Sequence, residues 1–281
     1  MSAATAILRR LCPRPVRNWL RAPAKSLAWG WRQARYLAGA RELLEVRPGW
    51  TVVCHPLAHR HSYFAQLDDP EQAAEFDAFI ARCAPGMVLF DLGAHFGVFS
   101  LAALHFGGPT ARAVAVDASP TAERLLRIQA QLNGVADRMQ VVRACVCDQV
   151  GVREMVAAGV LADGYFTAPG PDHGRETSPT PAVTLDHLAR QTGLRPTHVK
   201  IDVEGFEAAV LDGGTEVLGG DPAPVVFLEL HNDILRGRGE DPAEVLEQLA
   251  RLGYRVVEAH DGAPGAPLTG RPLLRLVARR D

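Results

Sequence analysis

The chain has 281 residues, of which 47% are hydrophobic and 22% are charged, and its formal net charge is -2. This is the composition of an ordinary globular protein, and it excludes a disordered acidic chain and a strongly basic nucleic-acid-binding protein. No stretch approaches the roughly 18 unbroken apolar residues of a membrane-spanning helix. The first residues also lack the pattern of a signal peptide. We therefore expect a cytoplasmic protein with no transmembrane segment and no nucleic-acid partner.

Positive charge is concentrated at the start of the chain. Residues 1–50 contain ten Lys or Arg and two Asp or Glu, whereas the rest contains 20 basic and 30 acidic residues. Pro13, Pro15 and Pro23 interrupt a composition that otherwise favours short amphipathic helices. We predict a basic, helical N-terminal extension over residues 1–50 and one folded domain over residues 51–281. The extension presents a solvated basic face or, alternatively, contacts a membrane surface.

The first predicted elements precede a regular alternation of strands and helices. Residues 50–57 (WTVVCHPL) favour an outlying strand because of their β-branched content. Asp69 and Pro70 form a helix-start signal, which predicts a helix over residues 71–83.

The alternation itself begins at residue 87. The predicted strands cover residues 87–93, 111–117, 139–147, 197–203, 224–230, 254–260 and 273–279. The predicted helices cover residues 97–106, 120–132, 184–192, 205–218 and 241–252. Residues 163–183 contain four prolines and three glycines, which predicts a loop.

This order of elements decides the fold class. Strands that alternate with helices form a mostly parallel sheet whose two faces are both covered. The short link between the last two strands makes residues 254–260 and 273–279 an antiparallel pair at a sheet edge. We predict a doubly wound α/β fold.

The sharpest motif is Asp91-Leu92-Gly93-Ala94-His95-Phe96-Gly97, which follows a predicted strand and opens a predicted helix. An open α/β sheet binds nucleotides at this point, beyond the carboxyl ends of its strands. Gly93 allows a tight turn and close approach of a ligand, and Gly97 allows the helix to pack near the strand. We predict that Asp91, Gly93, Ala94 and Gly97 bind a nucleotide-like cofactor.

Asp91 distinguishes between two such cofactors. It stands where a dinucleotide-binding loop has its first glycine, and its carboxylate would repel a pyrophosphate in a partly dry site. The same carboxylate attracts an ammonium group, which S-adenosylmethionine carries. The loop therefore favours S-adenosylmethionine, and an NAD-dependent oxidoreductase is the less favoured alternative.

Two further acids end predicted strands. Asp117 comes 20 positions after Gly97, a spacing at which an acid accepts hydrogen bonds from both ribose hydroxyls. Alternatively, Asp117 caps the next helix. Asp148 would accept a hydrogen bond from the adenine amino group or, alternatively, stabilise a turn that ends at Gly151. We predict Asp117 and Asp148 as cofactor ligands.

Polar side chains converge at the ends of two neighbouring strands. Lys200 and Asp202 share one face of the fourth strand, and Glu229 and His231 share one face of the fifth, because side chains alternate along a strand. His231 titrates near neutral pH and is the predicted general base, with Asp202 as the alternative. Asp202, Glu229 and His231 would also hold Mg²⁺, which is less favoured because magnesium prefers oxygen ligands. Glu204 and Glu207 are alternatively capping residues of the following helix.

Three segments resemble the FkbM family of class I methyltransferases over about residues 85–232. They are Thr184-Leu185-Asp186-His187-Leu188, Lys200-Ile201-Asp202-Val203-Glu204-Gly205-Phe206-Glu207 and Phe227-Leu228-Glu229-Leu230-His231. The resemblance implies a Rossmann-like seven-stranded sheet of order 3-2-1-4-5-7-6. It also implies S-adenosylmethionine-dependent O-methylation of a sugar, a polyketide or another small natural product. The chain departs from the family at Asp117, where members often have Glu, and at His95, where Asn is common.

A different class of function uses the same fold without catalysis. The alternative is a non-catalytic binding module that has the same fold, since a fold does not determine its function. The retained acids and glycines of the cofactor loop, together with the polar strand ends, favour an enzyme.

Overall fold

The computed structural model describes residue 27 and residues 30–61, 69–158, 165–167, 177–260 and 268–280. Predictions on residues 1–26 lie outside these described residues. Within the segment predicted as a helical extension, residues 30–37 form a helix and Glu42–Arg47 forms a strand. Among the described residues, every helix is too short or too polar to cross a membrane.

The bounds of the elements follow in chain order. The strands are β1 (Glu42–Arg47), β2 (Trp50–Cys54), β3 (Val88–Leu92), β4 (Arg112–Asp117), β5 (Met139–Arg143), β6 (Cys145–Val146), β7 (Gly151–Ala158), β8 (Tyr165–Thr167), β9 (Thr177–Val183), β10 (His198–Ile201), β11 (Val225–Leu230), β12 (Arg255–Ala259) and β13 (Leu274–Arg279). The helices are α1 (Pro56–His61), α2 (Pro70–Ile80), α3 (Val98–Phe106), α4 (Pro120–Leu132), α5 (Leu185–Thr192), α6 (Glu207–Asp212), α7 (Thr215–Gly219), α8 (Asn232–Gly237) and α9 (Pro242–Arg251).

A seven-stranded sheet forms the centre of the fold, in the order β12-β13-β11-β10-β3-β4-β5. Five of these strands are parallel to one another, namely β11, β10, β3, β4 and β5. The strand β13 is antiparallel to both of its neighbours, β11 and β12. Numbered by their order of use in this sheet, the strands run 3-2-1-4-5-7-6 from β5 to β12. The predicted α/β class and strand order are confirmed, as is the antiparallel pair at the edge.

Both faces of the central sheet are buried. Alternate side chains of β3 enter different apolar clusters, with Phe90 and Leu92 on one face and Leu89 on the other. Helices cover each cluster, so the strands read as continuous apolar runs rather than as alternating ones. Because Asp91 alternates with Phe90 and Leu92, its side chain lies on the face that carries Leu89.

A second sheet corrects the loop predicted over residues 163–183 at residues 165–167 and 177–183, whereas residues 163–164 and 168–176 lie outside the described residues. The four strands β6-β9-β7-β8 form this sheet, and β9 pairs antiparallel with β7 although it contains Pro179 and Pro181. The carbonyl of Val183 accepts a hydrogen bond from Cys147, on the β6 side of β9. In a strand, the backbone N–H and C=O groups of residues two apart point to the same edge. Positions 179 and 181 therefore face the same edge as Val183, so the N–H groups that the two prolines lack would point away from β7. A proline count alone therefore misjudges this strand.

Three other boundaries differ from the prediction. The strand predicted over residues 139–147 divides at Ala144, where β5 leaves the central sheet and β6 joins the second. The strand predicted over residues 50–57 ends at Cys54 and pairs with β1. The helix predicted over residues 205–218 divides into α6 and α7.

Gly213 lies at the division between α6 and α7, where the chain passes close to the end of β6. A Cβ atom at Gly213 would lie 2.2 Å from the carbonyl oxygen of Cys147 and 3.1 Å from the Cβ of Thr184. Gly213 thus allows the helix pair to pack against the end of β6, and Gly214 allows it to approach Leu185 of α5, where a Cβ would lie 2.8 Å from a methyl carbon.

We expect Gly213→Ala to lower the free energy of unfolding by about 1–3 kcal/mol because the added methyl overpacks this contact. Gly219→Ala is the matched control, since a Cβ there meets nothing within 4 Å. It should leave stability unchanged or raise it by less than about 1 kcal/mol. Urea unfolding of both variants measures the difference, and equal midpoints would contradict the close approach.

Candidate active site

The loop between β3 and α3 turns at Gly93 against the end of β10. Gly93 has φ +84°, and a Cβ there would lie 1.7 Å from the carbonyl oxygen of Asp202. The backbone amides of Gly93 and Ala94 both donate to the carbonyl of Val116, at 2.8 and 2.9 Å. The loop is therefore fixed between the carboxyl ends of β4 and β10, and only glycine fits at position 93.

Gly97 ends the same loop at the start of α3, with φ +83°. A Cβ at Gly97 would lie 2.7 Å from a methyl carbon of Leu126 in α4. The sequence predicts that Gly97 brings α3 close to the strand, whereas the structure shows that it brings α3 close to α4. His95 has φ +48° and stacks on Phe96, with ring centroids 3.7 Å apart.

Asp91 is buried below this loop, with 2% of its surface exposed. Its carboxylate accepts hydrogen bonds from the backbone amide of Ser100 at 3.1 Å and from the Ser100 hydroxyl at 2.6 Å. Burial raises the pKa of Asp91, and the hydrogen bonds from Ser100 oppose that rise. Asp91 thus holds the first turn of α3, and its direct contact with a cofactor stays a prediction.

Asp117 joins the loop to the end of β4. One carboxylate oxygen accepts from the amide of His95 and the other from the amide of Ser119, both at 2.8 Å. The side chain that caps α4 is Ser119, not Asp117. Each oxygen of Asp117 keeps a second lone pair that would accept from a ribose hydroxyl. Burial raises the pKa of Asp117 to about 7.

Asp148 lies between the end of β6 and the start of β7. Its carboxylate is 2.6 Å from a guanidinium nitrogen of Arg153, and each of the two side chains is 37% exposed. The ion pair fixes Asp148 at the end of β6. Its contact with an adenine group stays a prediction.

Lys200 and Glu229 belong to a buried group of four ionisable side chains, in which burial raises the pKa of Glu75 to about 8. The Nζ of Lys200 lies 2.8 Å from Glu229 and 3.2 Å from Glu75, and the lysine side chain is 1% exposed. The Nε of Arg275 lies 3.4 Å from Glu229 and 3.7 Å from Glu75. Lys200 and Arg275 outweigh the effect of burial and lower the pKa of Glu229 to about 2, so Glu229 is ionised. We call these four residues the buried quartet.

Sequence reasoning missed two members of the buried quartet. Glu75 lies on the apolar face of α2, next to Phe76 and four residues before Phe79, both of which are buried. Arg275 is an isolated charge in the apolar run of β13. A single charge within an apolar pattern is the signal that would have found both, because such a charge requires a partner.

His231 follows β11 and is surrounded by acids from the segment that connects β10 to α6. Its Nδ1 lies 2.7 Å from an oxygen of Glu207, which is fully buried and also accepts from the amide of Gly205. Its Nε2 lies 3.6 Å from Asp202 and 3.5 Å from Glu204. Since a carboxylate only accepts, Nδ1 carries its proton and Nε2 faces the other two acids.

Glu204 reaches this position through an unusual backbone. Its φ of +50° places it in the left-handed region, which non-glycine residues rarely adopt. Such strain persists where surrounding contacts determine the conformation, and it is concentrated at functional sites. Glu204 and His95 are the non-glycine residues with positive φ in the part of the chain that the structure describes.

The charges around His231 and Asp202 set their protonation. Burial lowers the pKa of His231, but hydrogen bonds with Glu204 and Glu207 outweigh it and hold the pKa well above its usual 6.5. Burial and the charge of Glu229 raise the pKa of Asp202 to about 7. At neutral pH His231 is therefore a cation, whereas Asp202 is poised between its two forms.

The donor atoms of a metal site are also close together. Asp202, Glu229 and His231 each place one ligand atom within 4.8 Å of the others. Two carboxylates and one imidazole suit a first-row transition metal at least as well as Mg²⁺. However, Glu229 is already bound by Lys200, which reduces its capacity as a ligand.

The segment from Thr184 to Leu188 supports the site rather than lining it. The hydroxyl of Thr184 accepts from the amide of His187 and caps α5. The carboxylate of Asp186 accepts from the amides of Glu216 and Val217, which begin α7. This segment therefore fixes the α6–α7 pair in place.

Known proteins include a family and a relative whose sequences are similar to this chain. Residues 91–256, more than half of the chain, match the family described as the methyltransferase FkbM domain. The ribosomal protein L11 methyltransferase of Pelotomaculum thermopropionicum is 29% identical over 171 residues, covering 56% of this chain and 54% of that protein. The chain thus spans about half the length of that relative.

Solved structures with a similar fold include two methyltransferases. Methyltransferase FkbM from Methylobacillus flagellatus is 14% identical with a TM-score of 0.48, over 78% of this chain and 56% of that chain. Precorrin-6y C5,15-methyltransferase from Geobacter metallireducens is 16% identical with a TM-score of 0.43, over 75% of this chain and 88% of that chain.

We expect Glu207→Gln to lower the pKa of His231 toward its usual value, because the variant removes the charge bonded to Nδ1. Because the pKa of His231 is higher in the folded protein than the usual 6.5 of an unfolded chain, protonation of His231 stabilises the fold. This stabilisation is complete below pH 6.5 and is lost as the pH rises through the raised pKa. The variant should therefore lose more stability below pH 6.5 than at high pH.

NMR titration of the imidazole and urea unfolding at several pH values measure both effects. Asp233→Asn is the control, because Asp233 is a 65% exposed acid two residues from His231. An unchanged His231 titration in Glu207→Gln would contradict the role of this contact.

Proposed function

The chain belongs to the FkbM methyltransferase family, and we propose that it transfers a methyl group from S-adenosylmethionine to a hydroxyl oxygen of a small molecule. The acceptor class that we propose is a sugar, a polyketide or another natural product. The observation that carries this proposal is the contact between Gly93 and Asp202. It joins the predicted cofactor loop to the acids around His231, so a donor in the loop would lie beside a proton acceptor.

The residues of the loop suit a donor that is cationic and carries a ribose. Gly93 leaves room for close approach to the backbone, and the carboxylate of Asp117 has lone pairs for two hydroxyl groups. Asp202 and Glu204 add negative charge that would attract an ammonium or sulfonium centre. When bound, S-adenosylmethionine would supply an electrophilic methyl group to an acceptor oxygen that gives up its proton.

Asp202 is the residue that we propose as proton acceptor. A general base works best when its pKa is near the operating pH, and the pKa of Asp202 is about 7. The pKa of His231 is raised well above 6.5, so His231 remains protonated at neutral pH. This reverses the order that the sequence favours, with His231 as a cation that orients Asp202 and Glu204. Glu207 positions His231, and Lys200 positions Glu229 beside Asp202.

A divalent metal is the second way to activate the acceptor. Asp202, Glu229 and the Nε2 of His231 would hold it, and the metal would lower the pKa of the bound hydroxyl. The proton would still need an acceptor. Dialysis against a chelator, followed by a transfer assay with and without Mg²⁺ or Mn²⁺, separates the two routes.

We expect Asp117→Ala to weaken binding of S-adenosylhomocysteine by about 10- to 100-fold, since the hydrogen bonds from the ribose hydroxyls to its carboxyl group are lost. Isothermal titration calorimetry measures this effect, with NAD as a ligand that should not bind. Asp137→Ala, at an exposed acid outside the site, should bind as tightly as the unmodified protein. Absence of binding by the folded unmodified protein would favour a non-catalytic binding module, and binding of NAD alone would favour an oxidoreductase.

Transfer of labelled methyl from S-adenosylmethionine then tests the acceptor. The panel contains hydroxylated sugars and polyketides, with amines, bulk RNA and ribosomal protein as competing acceptor classes. We expect the label on a small-molecule oxygen. Label that enters only RNA or protein would overturn the proposed acceptor class while leaving methyl transfer intact.

With an acceptor in hand, Asp202→Asn should lower kcat by about 10²- to 10⁴-fold with little change in S-adenosylhomocysteine binding. For the unmodified enzyme, kcat/KM should rise with pH through about 7, because Asp202 must be ionised. His231→Gln removes a positive charge that lowers the pKa of Asp202, so the rise should move to higher pH. If His231→Gln lost turnover at every pH while Asp202→Asn remained active, His231 would be the general base instead.

A further inference from the structure

The helix formed by residues 30–37 turns its apolar side away from the protein. Trp31 and Leu37 are 68% and 75% exposed, and Leu27, a helical residue four positions before Trp31, is 75% exposed. Ala34 is also exposed. Side chains three or four positions apart lie on the same side of a helix. These four residues therefore form one stripe, which we call the N-terminal apolar stripe.

The helix is attached to the protein through contacts of Tyr36 on its opposite side and of Arg35 beside the N-terminal apolar stripe. The ring of Tyr36 lies on the ring of the buried His55, with centroids 4.3 Å apart, and the guanidinium of Arg41 lies 4.1 Å from the centroid of the same Tyr36 ring. Arg35 forms a 2.9 Å ion pair with Glu42 of β1. The helix is thus the reverse of an ordinary surface helix, which buries its apolar side. Anchoring by Tyr36 holds the N-terminal apolar stripe toward the surroundings.

The charge of this part of the chain indicates what covers the stripe. Residues 1–50 contain ten basic and two acidic residues, so a Trp- and Leu-bearing helix lies within a strongly positive segment. Helices of this composition lie in the headgroup layer of a bilayer, where anionic lipids attract the basic residues. Exposed leucines at positions 27 and 37 would contribute little to binding of nucleic acid, which depends on basic side chains and on stacked aromatic rings.

We propose that the N-terminal apolar stripe docks on the surface of an anionic lipid bilayer, with the helix parallel to the membrane plane. Trp31 would lie at the headgroup level, where its ring is apolar and its N–H remains hydrated. The basic residues of the segment would contact the lipid phosphates. This surface is separate from the residues assigned to methyl transfer, so its function does not depend on that reaction.

The experiment is flotation of the full-length protein with vesicles of phosphatidylcholine mixed with phosphatidylglycerol, and with vesicles of phosphatidylcholine alone. We expect binding to the anionic vesicles that weakens at high salt, because salt screens the lipid charge. The double variant Trp31→Ser/Leu37→Ser should reduce the partition coefficient by at least about tenfold, since two apolar side chains no longer enter the bilayer. Circular dichroism checks that it is folded.

Val152→Ser is the matched control, because Val152 is an apolar side chain that is 66% exposed on β7. It should float like the unmodified protein. Three results would overturn the proposal: no flotation of the unmodified protein, equal flotation of the double variant, or a dimer without lipid that the double variant dissociates. The second result would mean that basic charge alone binds the vesicles, and the third that a second copy of the chain covers the stripe.

Discussion

The close approach of Gly93 to the carbonyl of Asp202 is the constraint on which the candidate site depends. The distance of 1.7 Å from a hypothetical Cβ leaves no space for any other residue. Because Gly93 and Ala94 also donate to Val116, the loop after β3 is bound to the ends of both neighbouring strands. The amide of His95 then reaches Asp117. The positions of the predicted cofactor loop and of the acids that follow β10 thus depend on one backbone contact.

The candidate site depends secondly on the balance of charge among the ionisable side chains near the contact between Gly93 and Asp202. Burying an ion pair contributes little stability by itself, but removing one partner leaves an uncompensated charge that costs about 3–5 kcal/mol. In the buried quartet, Lys200 and Arg275 face Glu75 and Glu229. Glu229 stays ionised and raises the pKa of Asp202. The quartet is therefore coupled to the proton affinity of the site as well as to the packing of α2 and β13.

Several features of the fold and site follow from local sequence patterns, and others do not. Strand alternation places Asp202 and His231 on the same side of neighbouring strands, and the glycine pattern locates the loop at Gly93. The partners Glu75 and Arg275 come from distant segments, so no local period brings them to Lys200. The same limit applies to β9, where cross-strand pairing with β7 outweighs the unfavourable proline content. The pKa shifts of Asp202 and His231 also depend on long-range neighbours, so a local sequence pattern does not contain the argument for proposing Asp202 rather than His231 as base.

The placement of the prolines in β9 has a consequence for the second sheet as a whole. β6 pairs with Ala182 and Val183 of β9, and within the part of the chain that the structure describes the earlier part of β9 has no strand partner on that side. Pro179 and Pro181 point to that side and lack the N–H groups that an incoming strand would bond. The edge is therefore a poor template for strand addition by another molecule. Prolines that look like loop residues in the sequence thus protect an open sheet edge against aggregation.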